Sequence, residues 1–226
     1  MRSPRDFLKP LALGAPQPMR DIPVRPSRMI HFFDPSNPKM AEKAPAIAAK
    51  VDILLGNMED AVAIDNKEAA REGLINIARD NDFGDTQLWT RVNSLDSPWF
   101  LDDVTRIVTE VGDKIDVIML PKVQGPWDIH YADQLIAQLE ARAGLKKPIL
   151  LHCILETALG VANVEEIANA SPRIQGSNQG PPEHAASPRM KTTRTWADPP
   201  AQTVRTHHQH RHPTAAPPPH RTDDRA

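Results

Sequence analysis

Charged side chains directly follow the short apolar runs of this sequence, and their types suit catalysis around a metal ion. Two are cations and four are carboxylates: Arg91, Lys122, Glu59, Asp60, Glu156 and Glu183. Carboxylates without a His or Cys beside them form an oxygen-rich site, which suits a hard cation that keeps several waters. We therefore expect Glu156 and Glu183 to bind Mg²⁺, with Mn²⁺ as an alternative metal.

The chemistry expected of this set is the making or breaking of a carbon–carbon bond next to a carbonyl. A Mg²⁺ ion with open positions can hold a 2-oxo acid, polarise its carbonyl and stabilise an enolate oxygen. Arg91 adds a planar, permanently charged donor fork for a carboxylate or a developing oxyanion. Each residue also has a structural interpretation: Glu59 and Asp60 as helix caps, Lys122 as a rim salt bridge, and Arg91 as the partner of any nearby acid.

The elements that must position these residues alternate between apolar runs and amphipathic stretches. Six runs are rich in β-branched or aromatic residues, the last of them weakly: 30–34, 52–58, 88–93, 117–122, 148–155 and 173–175. Nearly continuous hydrophobicity is typical of strands buried on both faces of a parallel sheet. The sequence therefore predicts six parallel strands.

Helix-start signals occur between the predicted strands. Asn37-Pro38 and Asp65 open two amphipathic stretches, Ser97-Pro98 opens a third that Gly112 ends, and Gly125-Pro126 precedes a fourth. A shorter fifth helix is expected over residues 163–170.

Alternation of strands and helices predicts an α/β fold, either a doubly wound open sheet or a (β/α) barrel. Neither G-x-G-x-x-G nor G-x-x-x-x-G-K-[ST] follows any predicted strand, which favours the barrel. Eight units normally need about 250 residues, and the periodic part supplies about six units, so we expect an incomplete TIM (β/α)8 barrel. Catalytic residues of such barrels stand at the carboxyl ends of the strands, where the charged set lies.

Composition excludes several classes of protein. Lys plus Arg is 27 and Asp plus Glu is 29, a formal charge of −2 that argues against nucleic-acid binding and a polybasic membrane surface. The single cysteine, Cys153, excludes a disulfide framework and a Cys-rich metal site. The N-terminal apolar run is too short for a secretory signal and no window approaches about 18 apolar residues, so we expect a cytoplasmic protein without membrane spans.

The distribution of proline predicts three regions. Residues 1–26 contain six prolines, which indicates an extended N-terminal arm. Residues 195–226 contain six of the 23 prolines and five of the nine histidines with few apolar side chains, which indicates a disordered tail. Residues 27–194 between them are expected to form the partial barrel.

Six stretches of the sequence resemble malyl-CoA lyases of the citrate lyase β-subunit-like (HpcH/HpaI) aldolase superfamily. They are Lys-Pro-Leu-Ala-Leu-Gly-Ala-Pro at 9–16, Gly-Asn-Met-Glu-Asp-Ala-Val at 56–62, Arg-Val-Asn-Ser-Leu-Asp-Ser-Pro-Trp at 91–99, Val-Ile-Met-Leu-Pro-Lys-Val at 117–123, Gly-Pro-Trp-Asp-Ile-His at 125–130 and Leu-Glu-Thr-Ala at 155–158. The resemblance extends from about Phe7 to Arg194. It implies a TIM barrel, assembled as a homo-oligomer, that uses Mg²⁺ to cleave malyl-CoA reversibly into glyoxylate and acetyl-CoA. The β-methyl substrate would give glyoxylate and propionyl-CoA.

The resemblance also implies roles for individual residues. Glu156 matches the first metal ligand and Arg91 the substrate-binding arginine. Glu59 and Asp60 match an acidic pair that supports the water shell of the metal and the arginine. His31, Phe32 and Lys39 fall where members of the family contact the CoA substrate. The resemblance also implies that Lys122 binds substrate.

The sequence departs from the family at its C-terminal end. The second metal ligand would be Glu183, where the family has Asp, and Pro182 precedes it. The resemblance stops after Arg194, which indicates a truncation or a shifted reading frame in this chain. A C-terminal acidic residue that the family is thought to lend to a neighbouring subunit would then be missing. Two alternatives to an active lyase remain: an inactive truncated remnant, and a thioester hydrolase that releases free malate from malyl-CoA.

Overall fold

Six parallel strands form one sheet in the order in which they occur along the chain. A computed structural model describes residues 27–179, so the predictions for residues 1–26, for Glu183 and for the tail at 195–226 lie outside the described residues. The strands are β1 (Ile30–Phe33), β2 (Ile53–Asn57), β3 (Gln87–Arg91), β4 (Val117–Leu120), β5 (Leu150–Leu155) and β6 (Ile174–Gln179). Every strand pairs in parallel with the next strand in sequence.

This strand order distinguishes between the two architectures that the sequence allows. A doubly wound sheet reverses its strand order at a switch point, whereas a (β/α) barrel adds each new strand beside the previous one. The described sheet never reverses, so the expectation of an incomplete TIM barrel of about six units is confirmed.

Helices connect the successive strands. They are α1 (Pro38–Ala48), α2 (Lys67–Asp80), α3 (Phe100–Val111), α4 (Pro126–Ala143), α5 (Ala158–Ala162) and α6 (Val164–Ala168), with a 3₁₀ turn at Ile64–Asn66 before α2. Within the described part of the chain, none of them combines the length and the apolar character that crossing a membrane requires.

The predicted helix starts agree with the structure at α1 and α4 and differ at the other helices. Ser97-Pro98 lies in a turn, and α3 begins at Phe100. Asn37 caps α1 as expected, since its side-chain oxygen accepts hydrogen bonds from the backbone N–H groups of Lys39 and Met40. Asp65 instead lies in the 3₁₀ turn, and α2 begins two residues later. The helix predicted over 163–170 is α6, and the short helix α5 before it was not predicted; the chain leaves helical geometry at Asn163 between the two.

Alternate side chains of the strands pack on opposite faces of the sheet. Leu54, Leu88 and Leu151 point outward and pack in the main core against the helices. The side chains on the inner face form a second, smaller core: Ile53, Leu55, Trp89, Val117, Met119 and Ile154. Burial on both faces explains the nearly continuous hydrophobicity of the strands. The same alternation directs Arg91 and Glu156 toward the inner side of the sheet at its carboxyl edge.

Candidate active site

Glu59 and Asp60 occupy a tight turn directly after β2. The backbone N–H of Met58 donates to the carbonyl of Arg91 at 2.9 Å, which extends the pairing of β2 and β3 beyond the strand. The side-chain oxygen of Asn57 accepts from the N–H of Glu59 at 2.9 Å, and Oε2 of Glu59 accepts from the N–H of Asp60 at 2.7 Å. Glu59 is buried, whereas the Asp60 side chain is about half exposed.

Arg91, the last residue of β3, connects carboxylates from two other strand ends. Its Nη2 lies 2.5 Å from Glu59 Oε2, 3.1 Å from Asp60 Oδ2 and 3.4 Å from Glu156 Oε1. Its Nε is buried and has no hydrogen-bond partner among the described residues. Because a guanidinium holds its donors in one plane, the contacts at Nη2 fix the direction in which Nε points.

Lys122 joins the same cluster from the loop after β4. Its backbone has a φ of 54°, in the left-handed region that is uncommon for residues other than glycine. In this conformation its N–H donates to Glu156 Oε1 at 3.0 Å, while Nζ contacts Glu59 Oε1 at 2.7 Å and Asp60 Oδ1 at 3.2 Å.

The charges in the cluster set the protonation of its members. Partial burial alone would lower the pKa of Lys122, but its hydrogen bonds to Glu59 and Asp60 and their charges outweigh this effect and raise the pKa well above its ordinary value. Desolvation similarly acts to raise the pKa of Asp60, but its side-chain interactions with Glu59 and Lys122 and the charge of Arg91 lower it. Lys122 is therefore a cation and Asp60 an anion at neutral pH.

The cluster fits a hard cation in the chemistry of its donors. Carboxyl groups of Glu59, Asp60 and Glu156 converge here, and oxygen donors of this kind are the ligands that a hard cation prefers. No group of three or more His, Cys, Asp or Glu side chains within residues 27–179 is arranged to hold a metal ion. The predicted partner of Glu156, Glu183, lies outside that range.

The residues predicted to contact CoA lie apart from this cluster. The register pairs His31 with Leu54 and Phe32 with Leu55, before the end of β2. Phe32 is exposed, and Lys39 lies near the start of α1 with its side chain in solvent. Among the described contacts, no hydrogen bond or ion pair joins these three residues to the charged cluster, and their role in binding CoA stays a prediction.

Two buried cations near the site were missed by the sequence reasoning. Lys67 and Arg71 lie one turn apart on α2 and face the loops that follow β2 and β3. The available signal was the segment Lys-Glu-Ala-Ala-Arg at 67–71, in which two cations share one helical face with apolar residues.

The family of the chain follows from comparison with known proteins. The model of the family described as HpcH/HpaI aldolase/citrate lyase matches residues 28–208. The chain belongs to this family. The resemblance expected from the strand-end motifs is thereby confirmed.

Two curated relatives in the HpcH/HpaI family share extensive identity with the chain. It is 59% identical over 189 residues to the malyl-CoA/β-methylmalyl-CoA/citramalyl-CoA lyase of Chloroflexus aurantiacus, covering 84% of this chain and 54% of that protein. It is 40% identical over 171 residues to the L-malyl-CoA/β-methylmalyl-CoA lyase of Cereibacter sphaeroides, covering 76% of this chain and 53% of that protein. The chain thus spans about half the length of these relatives.

A solved structure shares the fold of this HpcH/HpaI family member. The protein CitE from Mycobacterium tuberculosis, in complex with magnesium, acetoacetate and coenzyme A, superposes with a TM-score of 0.57 at 22% identity. The superposition covers 77% of this chain and 56% of that one. At this level of identity the likeness shows the fold alone.

Proposed function

We propose that this protein is a Mg²⁺-dependent carbon–carbon lyase that cleaves malyl-CoA reversibly into glyoxylate and acetyl-CoA. With β-methylmalyl-CoA the products are glyoxylate and propionyl-CoA. The observation that carries the proposal is the convergence of Arg91 with carboxylates from the ends of β2 and β5, in a chain 59% identical to a lyase named for these substrates.

Arg91 is the residue proposed to bind the oxo-acid part of the substrate. The bond that breaks joins the hydroxyl-bearing carbon to the carbon beside the thioester. The hydroxyl loses its proton, its oxygen becomes the aldehyde oxygen of glyoxylate, and the bonding electrons pass to the acyl-CoA as an enolate that is then protonated. The guanidinium of Arg91 stabilises negative charge on the substrate oxygens, since it is permanently charged and three carboxylates fix its position.

The acidic residues around Arg91 have two different tasks in this proposal. Glu59 and Asp60 hold the guanidinium and Lys122 in place. Glu156, together with Glu183, would hold Mg²⁺, which supplies a Lewis acid to polarise the glyoxylate carbonyl. The backbone N–H of Lys122 orients the Glu156 carboxylate for this task. His31, Phe32, Lys39 and Lys122 are the residues proposed to contact the remainder of the acyl-CoA.

The test is an assay of the purified 226-residue chain with malyl-CoA and Mg²⁺. We expect glyoxylate to form, and its formation to stop when a chelator removes the metal. Glu156→Gln should reduce glyoxylate to the background, because it removes the charge of the proposed ligand with little change in shape. Glu165→Gln, at an exposed carboxylate on α6, is the matched control and should keep the wild-type rate.

Two outcomes would contradict the lyase proposal. Wild-type glyoxylate formation equal to that of Glu156→Gln would show that the cluster does not cleave the carbon–carbon bond. Release of free malate without glyoxylate would show thioester hydrolysis instead. The homo-oligomer proposed from the family resemblance is tested on the same preparation by sedimentation equilibrium, and a monomer at all concentrations would contradict it.

A further inference from the structure

Helix α2 presents two buried cations toward the carboxyl edge of the sheet. Lys67 and Arg71 are 6% and 5% exposed, and their spacing of four residues places them on the same face of the helix. Like charges at this spacing repel, and burial of a cation is costly unless its donors are satisfied. Two such residues on one face are therefore expected to have a specific task.

Lys67 holds the turn that carries Glu59 and Asp60. Its Nζ donates to the carbonyls of Met58 at 2.9 Å and Glu59 at 2.8 Å, the first two residues after β2. Burial lowers the pKa of Lys67, against the opposing charges of Glu59 and Asp60. The ammonium also lies 5.8 Å from the ring centroid of Trp99, in the loop that follows β3. The side chain thus reaches both loops.

Arg71 holds the backbone that follows Arg91. Its Nε contacts Asp103 Oδ1 at 2.8 Å, and Asp103 is completely buried. Oδ2 of Asp103 accepts from the backbone N–H of Asn93 at 3.1 Å and from its side-chain Nδ2 at 2.7 Å. Asn93 is two residues after Arg91. Nη2 of Arg71 is buried without a partner among the described residues, so this arrangement is not the best one for stability alone.

We propose that Lys67 and Arg71 are positioning residues, which set the distance between the Glu59–Asp60 turn and Arg91. Among the described contacts, neither residue bonds to the side chain of Arg91. One helix carries both residues, so it holds the loop after β2 and the loop after β3 in a fixed relative position. The kinetic consequence rests on the proposed lyase function, whereas the structural consequence does not.

The kinetic test compares Lys67→Met with Arg173→Met in the full chain. Lys67→Met keeps an unbranched side chain that is one atom shorter and leaves only neutral carbonyls without a donor. We expect kcat to fall about 10- to 100-fold with KM within about twofold, because a small displacement of reacting groups is enough for such a loss. Arg173→Met breaks a buried ion pair with Asp133 and Glu140 near the amino end of β6, far from the cluster. It should lower the denaturation midpoint and leave kcat within about twofold of wild type.

Hydrogen exchange measured by mass spectrometry tests the inference without turnover. Lys67→Met should accelerate exchange of the amides at 58–60, and Arg71→Lys, which shortens the reach to Asp103, should accelerate exchange at 91–94. Arg173→Met should leave both segments unchanged. Unchanged exchange in the first two variants, or a loss of kcat that Arg173→Met reproduces, would overturn the inference. A wild-type chain without lyase activity would refute the proposed function, and the exchange data alone would then decide this inference.

Discussion

Arg91 contacts three carboxylates, and at the scale of single residues this is the feature with the most direct chemical consequence. Nη2 contacts Glu59, Asp60 and Glu156, and Nε is buried without a hydrogen-bond partner among the described residues. A lysine at this position would keep the charge but lose the planar donor arrangement. The cluster therefore fixes the orientation of the planar guanidinium as well as the position of its charge.

Arg91→Lys is therefore expected to lower kcat/KM for malyl-CoA by about 100- to 1,000-fold, the loss typical of removing one donor to a developing oxyanion. The thermal midpoint should change little, because a cation still faces the three acids. Steady-state kinetics and a thermal melt followed by circular dichroism measure the two quantities. Arg106→Lys, in an exposed ion pair with Glu72 and Glu110, is the control. A kcat/KM of Arg91→Lys within twofold of wild type would refute the role of the guanidinium.

The convergence of the charged residues could be predicted, but the contacts that hold them could not. Parallel strands of a barrel bring their carboxyl ends to one edge, so residues directly after apolar runs must lie near one another. Glu59, Asp60, Arg91, Lys122 and Glu156 do so. The links from Lys67 to the carbonyl of Met58 and from Arg71 through Asp103 to Asn93 depend on tertiary packing, which periodicity does not report.

At the scale of elements, the strands with continuous apolar runs were predicted well and the weakly apolar ones were not. β6 extends over Ile-Gln-Gly-Ser-Asn-Gln, whereas the sequence indicated only residues 173–175, because polar residues dominate this strand. Helix α5 was missed because five residues are too few to show an amphipathic period. Its one sequence signal is Thr157, whose hydroxyl accepts from the N–H of Gly160 at 3.0 Å.

The short helix α5 packs directly against the loop that carries Lys122. A Cβ at Gly160 would lie 2.1 Å from the carbonyl oxygen of Val123 and 3.1 Å from Thr157 Oγ1. The nearest of these atoms, the carbonyl oxygen of Val123, belongs to the backbone, so relief of the clash requires α5 or the Val123 loop to move. Gly160 is therefore required by close approach and not by its backbone conformation.

Gly160→Ala is expected to destabilise the fold by about 1–3 kcal/mol, the usual cost of overpacking, and to lower kcat because α5 follows Glu156 directly. Urea denaturation and the glyoxylate assay measure these effects. Leu159→Ala, at an exposed position of the same helix, should be close to neutral in both. Equal behaviour of the two variants would show that α5 can move away from Val123 without consequence.

At the scale of the whole molecule, the buried thiol of Cys153 reports whether the sheet remains intact. Cys153 is the only cysteine of the chain and lies in β5 with no exposed surface. Burial, with a smaller contribution from the charge of Asp128, raises the pKa of this thiol to about 12. The thiolate, which is the reactive form, is thus both inaccessible and energetically disfavoured in the folded chain.

We expect a thiol reagent at pH 8 to leave Cys153 unmodified in native protein and to modify it stoichiometrically in denaturant. Between about pH 9 and pH 12 the unfolded chain loses the thiol proton before the folded chain does, so the free energy of unfolding should fall as pH rises through this window. Urea titrations of wild type and Cys153→Ala at pH 8 and pH 10 isolate this contribution. Rapid modification of native protein, or the same pH dependence in both proteins, would contradict the burial of the thiol.

Lys122 has a left-handed backbone, so whether a substitution is accepted at this position depends first on the φ angle that the new residue can adopt. The N–H that orients Glu156 belongs to the main chain, so every amino acid except proline supplies it, provided that it accepts a φ of 54°. Glycine and asparagine adopt such angles readily, whereas valine and isoleucine resist them. Among all substitutions of Lys122, we therefore expect valine and isoleucine to orient Glu156 less well than glycine does. Glycine nevertheless removes the ammonium group.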